Sequence, residues 1–72
     1  MTMTRYRLYT GPTQVQHVAN VLLLNSAANV FQGTAHVYFD SSLDRFAAWL
    51  YLLDCGLSGY RFHEFTEAHR AV

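Results

Sequence analysis

Ala28-Asn29-Val30-Phe31-Gln32-Gly33-Thr34-Ala35-His36-Val37-Tyr38-Phe39 is the stretch that decides the fold. Read as two runs of β-formers about a glycine, it is a hairpin with strands at 28–32 and 34–39. The turn then lies at Gln32-Gly33, where glycine supplies the positive φ that a tight turn needs. Read instead with Ala27-Ala28 continuing the helical pattern upstream, the second strand disappears and the first helix lengthens. The two readings lead to different architectures; the hairpin is the expectation, with the longer helix as its alternative.

Upstream, Arg5-Tyr6-Arg7-Leu8-Tyr9 alternates and predicts a strand ended by Thr10-Gly11-Pro12. Proline fits the first turn of a helix, where its missing N–H leaves no bond unmade. Val15, Val18, Ala19 and Leu22 then recur at helical spacing, predicting a helix from Pro12 to Leu24 broken at Asn25-Ser26. Downstream, Ser41 and Asp44 are spaced as a capping box. Leu43, Phe46, Ala47, Leu50 and Leu53 form the predicted core face of a second helix, widened by Trp49 and Leu52. Core packing is the expectation for Trp49, and Tyr51 is the expected surface anchor. Gly56 is a natural left-handed stop. Tyr60-Arg61-Phe62-His63-Glu64-Phe65 alternates as a last strand, and residues 65–72 trail off as a polar tail.

Strand, helix, strand, strand, helix, strand is the split βαβ, or ferredoxin-like, order. The expectation is one α+β domain spanning residues 1–72, an antiparallel βαββαβ sheet with two helices on one face.

Alternation then assigns side chains to faces. With Tyr6, Leu8, Val37, Phe39, Tyr60 and Phe62 turned to the helices, the open face collects Arg5, Arg7, Tyr9, His36, Tyr38, Arg61 and His63. The first and third strands are central neighbours in such a sheet, so these seven form one patch. Tyr and Arg are favoured at protein interfaces. Aromatics on a sheet also stack bases in RNA-recognition domains. A solvated sheet face is the third reading.

Composition narrows the choice. Of 72 residues, 51% are hydrophobic and 14% charged, against a usual charged fraction of about 25%. So few charges leave apolar surface uncovered, which points to a partner or to homo-oligomerisation. The five basic residues, Arg5, Arg7, Arg45, Arg61 and Arg70, balance five acidic ones. Strong electrostatic nucleic-acid binders carry a basic excess, so direct nucleic-acid binding is disfavoured, as is acidic mimicry of DNA. Every basic residue is arginine, the planar cation that stacks on rings and grips carboxylates with paired bonds.

Catalytic and metal constellations are thin. Cys55, His63 and His69 lack the tight pair spacing of a metal site. Cys55 falls at the negative end of the second helix, which disfavours a thiolate. Asp40 and Asp44 suit capping and dipole roles. His63 and Glu64 point to opposite faces of one strand. Gly56-Leu57-Ser58-Gly59 lacks the lysine and following helix of a phosphate loop. The expectation is a protein without enzymatic activity, metal or cofactor. A single cysteine excludes an intrachain disulfide and fits a reducing compartment. Met1 to Thr10 has no apolar signal core. No apolar run, Val21-Leu22-Leu23-Leu24 among them, approaches the roughly 20 residues of a membrane span.

Phe39-Asp40-Ser41-Ser42, Trp49-Leu50-Tyr51-Leu52-Leu53 and Gly56-Leu57-Ser58-Gly59 together resemble small phage-encoded anti-CRISPR proteins. The likeness covers about a third of the chain. It implies a non-catalytic inhibitor that docks on a host protein or protein–RNA complex and blocks it sterically, in the cytoplasm of the host cell. It transfers no binding residues, because the matched stretch is expected to be core. The opening, Tyr6 to Pro12, is similar to that of a small bacterial domain of unknown function.

Overall fold

The computed structural model describes residues 3–65. The elements are β1 (Thr4–Tyr9), α1 (Val15–Leu24), β2 (Ala28–Gln32), β3 (His36–Ser41), α2 (Arg45–Asp54) and β4 (Arg61–Glu64). The strands form one sheet in the order β2-β3-β1-β4, and every neighbouring pair is antiparallel. The architecture is α+β, as the sequence pattern predicts: a four-stranded antiparallel sheet with two helices. The polar tail from Thr66 onward lies outside the described residues. No helix among them is long and apolar enough to cross a membrane.

The core is single and lies between the helices and one face of the sheet. Tyr6 and Leu8 of β1 and Val37 and Phe39 of β3 are buried there with Val15, Val18, Ala19 and Leu22 of α1. Ala48 and Leu52 of α2, with Leu57 beyond it, complete the cluster. Each large apolar side chain so enclosed contributes about 1.5–3 kcal/mol over exposure. The phenol of buried Tyr6 donates to the Leu43 carbonyl at 2.7 Å, so no polar atom is stranded by burying its ring.

The second strand exists because α1 is firmly closed. Ala27 N–H donates to Leu22 O at 3.0 Å and Ser26 N–H to Leu23 O at 3.2 Å. That crossed pair of bonds needs a left-handed residue just past the helix, and Ser26 supplies it at φ 67. The backbone therefore reverses instead of continuing the helix through Ala27-Ala28. Pairing of β2 with β3 is interrupted between Ala28 and Phe31, where Asn29 takes φ 51, an irregularity that re-aims the side chains after it.

Several boundaries differ from the sequence expectation. α1 starts at Val15, because Gly11 at φ 77 and the bond from Gln14 N–H to Gly11 O fold residues 11–14 into a turn. β3 starts at His36 and not at Thr34. Gly33 does not carry the expected positive φ; the positive-φ glycines among the described residues are Gly11 and Gly56. Gly33 instead closes the hairpin by donating to His36 O at 2.8 Å. A Cβ there would lie 3.4 Å from both that oxygen and the Tyr38 ring. The Ser41–Asp44 capping box is also corrected. Ser41 ends β3 and its hydroxyl accepts from Leu43 N–H, while Asp44 is the N-cap and accepts from Ala47 N–H at 2.8 Å.

The largest correction concerns the face of α2. Leu43, Phe46, Leu50 and Leu53 are exposed, and the side chains on the sheet are Ala48 and Leu52. The sheet face is already filled by large rings, Tyr6 and Phe39, tilted against each other with centroids 5.6 Å apart. A helix closes onto such a surface through its smallest residue, because a Phe or Trp at the contact would hold the backbone away. Trp49 is accordingly 42% exposed. Tyr51 packs its ring 5.9 Å from Phe39 and donates to Asn25 O at 3.0 Å, tying α2 to the end of α1. Their expected roles are thus exchanged. Gly56, at φ 77, does stop the helix: Leu57 N–H donates to Leu52 O at 2.8 Å and Gly56 N–H to Leu53 O at 3.1 Å.

Candidate binding surface on the open sheet face

Because both helices cover one side, the other side of the sheet is left to solvent. Strand alternation brings Arg5, Arg7 and Tyr9 of β1 to it, with His36, Tyr38 and Asp40 of β3. Register sets them side by side: Arg5 opposite Asp40, Arg7 between Tyr38 and His63, and Tyr9 between His36 and Arg61. All seven residues expected on this face therefore occupy one patch. Phe31, opposite Tyr38 on β2, and Phe65, just past β4, extend it.

The patch is organised by its own contacts. Arg5 holds Asp40 with two bonds, Nε to Oδ1 at 2.8 Å and Nη2 to Oδ2 at 3.0 Å. Asn29 adds a third donor to that carboxylate at 3.0 Å. The Arg5 guanidinium also lies 4.7 Å over the Phe31 ring. Its hydrogen bond to Asp40 outweighs burial and raises its pKa above the ordinary arginine value.

Arg7 makes a second such unit. Its Nη2 and Nε lie 2.6 and 3.2 Å from His63 Nε2. A guanidinium has no lone pair to offer, so His63 Nε2 is the acceptor and the imidazole carries its proton on Nδ1. Arg7 also sits 5.0 Å over the Phe65 ring. The rings then continue across the sheet: Phe65 to Tyr38 at 5.2 Å, Tyr38 to His36 at 6.2 Å, and His36 to Tyr9 edge-on at 5.3 Å. His36 is held below the usual histidine pKa, chiefly by burial and then by the Arg7 charge and by His63. Tyr9 is 49% exposed at the end of this chain, and Arg61 is exposed beside it.

Asp40, Asn29 and Phe31 belong to this face without having been expected there. For Asp40 the signal was available, since His36, Tyr38 and Asp40 alternate in one strand once β3 is extended by two residues. Phe31 reaches the face only through the irregularity at Asn29, which no local pattern marks.

Cys55 caps the end of α2, and burial first, then the Asp54 charge, push its thiol pKa up. Burial, with Cys55 as neighbour, pushes the Tyr51 hydroxyl up to about 12. No group of three or more His, Cys, Asp or Glu among the described residues is arranged to hold a metal ion, and His69 lies outside them. No protein-family model matches the chain, and neither a curated protein nor a solved structure matches it.

Proposed function

We propose that this chain is a non-catalytic protein-binding module of ferredoxin-like architecture, whose open sheet face docks another protein. The element order and the central β3–β1 pair support the architecture. One observation carries the function: a half-exposed lattice of Arg5, Arg7, Tyr9, His36, Tyr38, Arg61 and His63, most of it fixed in place by internal contacts. Docking on fixed rings and guanidinium groups loses little side-chain entropy, and such groups supply the strongest interface contacts. Arg5 and Arg7 are already engaged by Asp40 and His63, which favours a protein surface over a phosphate backbone. In its most specific form the partner is a CRISPR-type host defence complex, occluded sterically by a phage or mobile-element inhibitor. The sequence resemblance alone supports that form.

The test is affinity capture from nuclease-treated extract, comparing the native chain with a Tyr9→Ala/Tyr38→Ala variant. A protein retained by the native chain and lost with the variant supports docking through this face. Equal retention by both contradicts it. Material captured from untreated extract and absent from the nuclease-treated one, with binding that falls steeply with salt, would indicate single-stranded RNA or nucleotide binding instead.

A further inference from the structure

The sheet has two edges, and they are not alike. Along β2 the pairing with β3 is interrupted at Asn29, the kind of break that twists an edge away from further strands. β4 pairs with β1 without interruption from Arg61 to Glu64. Phe65 N–H donates to Arg5 O at 2.7 Å, which makes Arg5 and Phe65 a hydrogen-bonded pair. Bonded pairs alternate along an antiparallel ladder, so Arg7–His63 and Tyr9–Arg61 are bonded pairs too. Phe62 and Glu64 therefore turn their N–H and C=O groups outward, and among the described residues no strand meets them on that side.

An apolar groove of ≈ 410 Å³, lined by Arg45, Phe46, Trp49 and Phe62, runs beside that edge. Its wall is the outer flank of α2. Trp49 stands about 100° around the helix from Ala48, while Tyr51, which is bonded to the end of α1, stands about 60° the other way. The Phe46 and Trp49 rings stack on each other with centroids 6.3 Å apart, so the wall is formed in advance. The floor is Phe62, the same residue whose backbone groups face outward.

We infer that β4 takes an extended segment of a different protein as a fifth, antiparallel strand. The outward groups of Phe62 bond the incoming residue opposite, and its side chain enters the groove, so it is large and apolar. The next incoming residue lies opposite Arg61 and is acidic, because oppositely charged cross-strand pairs stabilise a sheet. The residue opposite Glu64 is basic for the same reason. Neither Arg61 nor Glu64 has an ion pair within the described residues, where the salt bridge is Arg5–Asp40. From its N-terminus the segment therefore reads basic, any residue, apolar, acidic. A second copy of β4 does not match this pattern. Antiparallel pairing through Phe62 and Glu64 shifts in steps of two, and no such register sets Arg61 opposite Glu64. The edge binds through its backbone and its groove, so the inference does not rest on docking by the open face.

The test is titration of the full chain with a blocked peptide, acetyl-Thr-Lys-Thr-Phe-Glu-Thr-amide. Binding is read from the fluorescence of Trp49, the chain's single tryptophan, and from amide NMR shifts. Saturable binding is expected, with altered Trp49 emission and the largest shifts at Phe62 and Glu64. N-methylation of the peptide's Phe removes the N–H bonded to Phe62 O and should weaken binding by more than about tenfold. N-methylation of its Glu, whose N–H points away from β4, should change binding by less than about threefold. Phe46→Ser/Trp49→Ser removes exposed side chains and should weaken binding severalfold by NMR, with an unchanged circular dichroism spectrum. No saturation by millimolar peptide, equal effects of the two N-methylations, or binding indifferent to Phe46→Ser/Trp49→Ser overturns the inference. Shifts centred on Tyr9 and Tyr38 overturn it too, because the peptide would then lie on the open face.

Discussion

Leu52 and Leu53 are chain neighbours of the same type, and the structure gives them opposite fates. Leu52 is 1% exposed and Leu53 47%. Leu52→Ala removes three carbons from a closed core, at about 0.8 kcal/mol each, and leaves a cavity. Its cost should be about 3 kcal/mol, within the usual range for buried leucines. A chain this size has roughly 4–11 kcal/mol of stability in all, so one substitution removes a large share. With a urea slope of about 1 kcal/mol per molar, the unfolding midpoint should fall by about 3 M. Urea titration followed by circular dichroism reads this directly. Leu53→Ala takes nothing from the core and should cost less than about 0.5 kcal/mol in dilute protein. Equal penalties in dilute protein, or a larger one for Leu53, would refute the assignment of helix faces.

Other consequences follow from local geometry. Ser26 sits at φ 67, and Ser26→Gly should relieve that strain and stabilise the domain by about 0.5–1 kcal/mol, measured by urea midpoint. Asp40→Ala leaves Arg5 and Asn29 without their shared acceptor and should cost about 1.5–3 kcal/mol by the same titration. Tyr51→Phe loses the bond to Asn25 O, an exposed contact, and should cost about 0.5 kcal/mol. His36 is held below 6.5 when folded, so between that lowered value and 6.5 the unfolded chain binds the extra proton. Stability should therefore be fully present above pH 6.5 and fall as pH drops towards the folded pKa, a decline that His36→Gln should flatten in thermal melts.

The strands were legible because alternation in Arg5–Tyr9, His36–Phe39 and Arg61–Phe65 reports directly which side chains share a face. The seven-residue patch followed from that alone. The helix face was not legible in the same way. Periodicity finds an apolar stripe but does not say whether a fold or a partner covers it, and α2 carries large apolar residues on nearly all sides. Its sheet-facing side is chosen by the fit of Ala48 against Tyr6 and Phe39, a tertiary fact. The Ser41–Asp44 capping box failed for a related reason, although Asp44 does cap α2: both residues suit a helix start, and only sheet pairing through Ser41 decides between them. Ser26 and Asn29 take left-handed backbone that favours glycine or asparagine. The break at Asn25-Ser26 was legible, but the left-handed backbone by which Ser26 turns the chain back into β2 was not.

The sheet lattice is proposed to meet a different protein and not a second copy of the chain. Hydroxyl-radical footprinting of the isolated chain at low and high concentration tests this most directly. Tyr9, Tyr38 and Phe31 should stay equally reactive as concentration rises. Protection of Tyr9 and Tyr38 by self-association would contradict it, because the sheet lattice would then be the chain's own interface and not a free docking face.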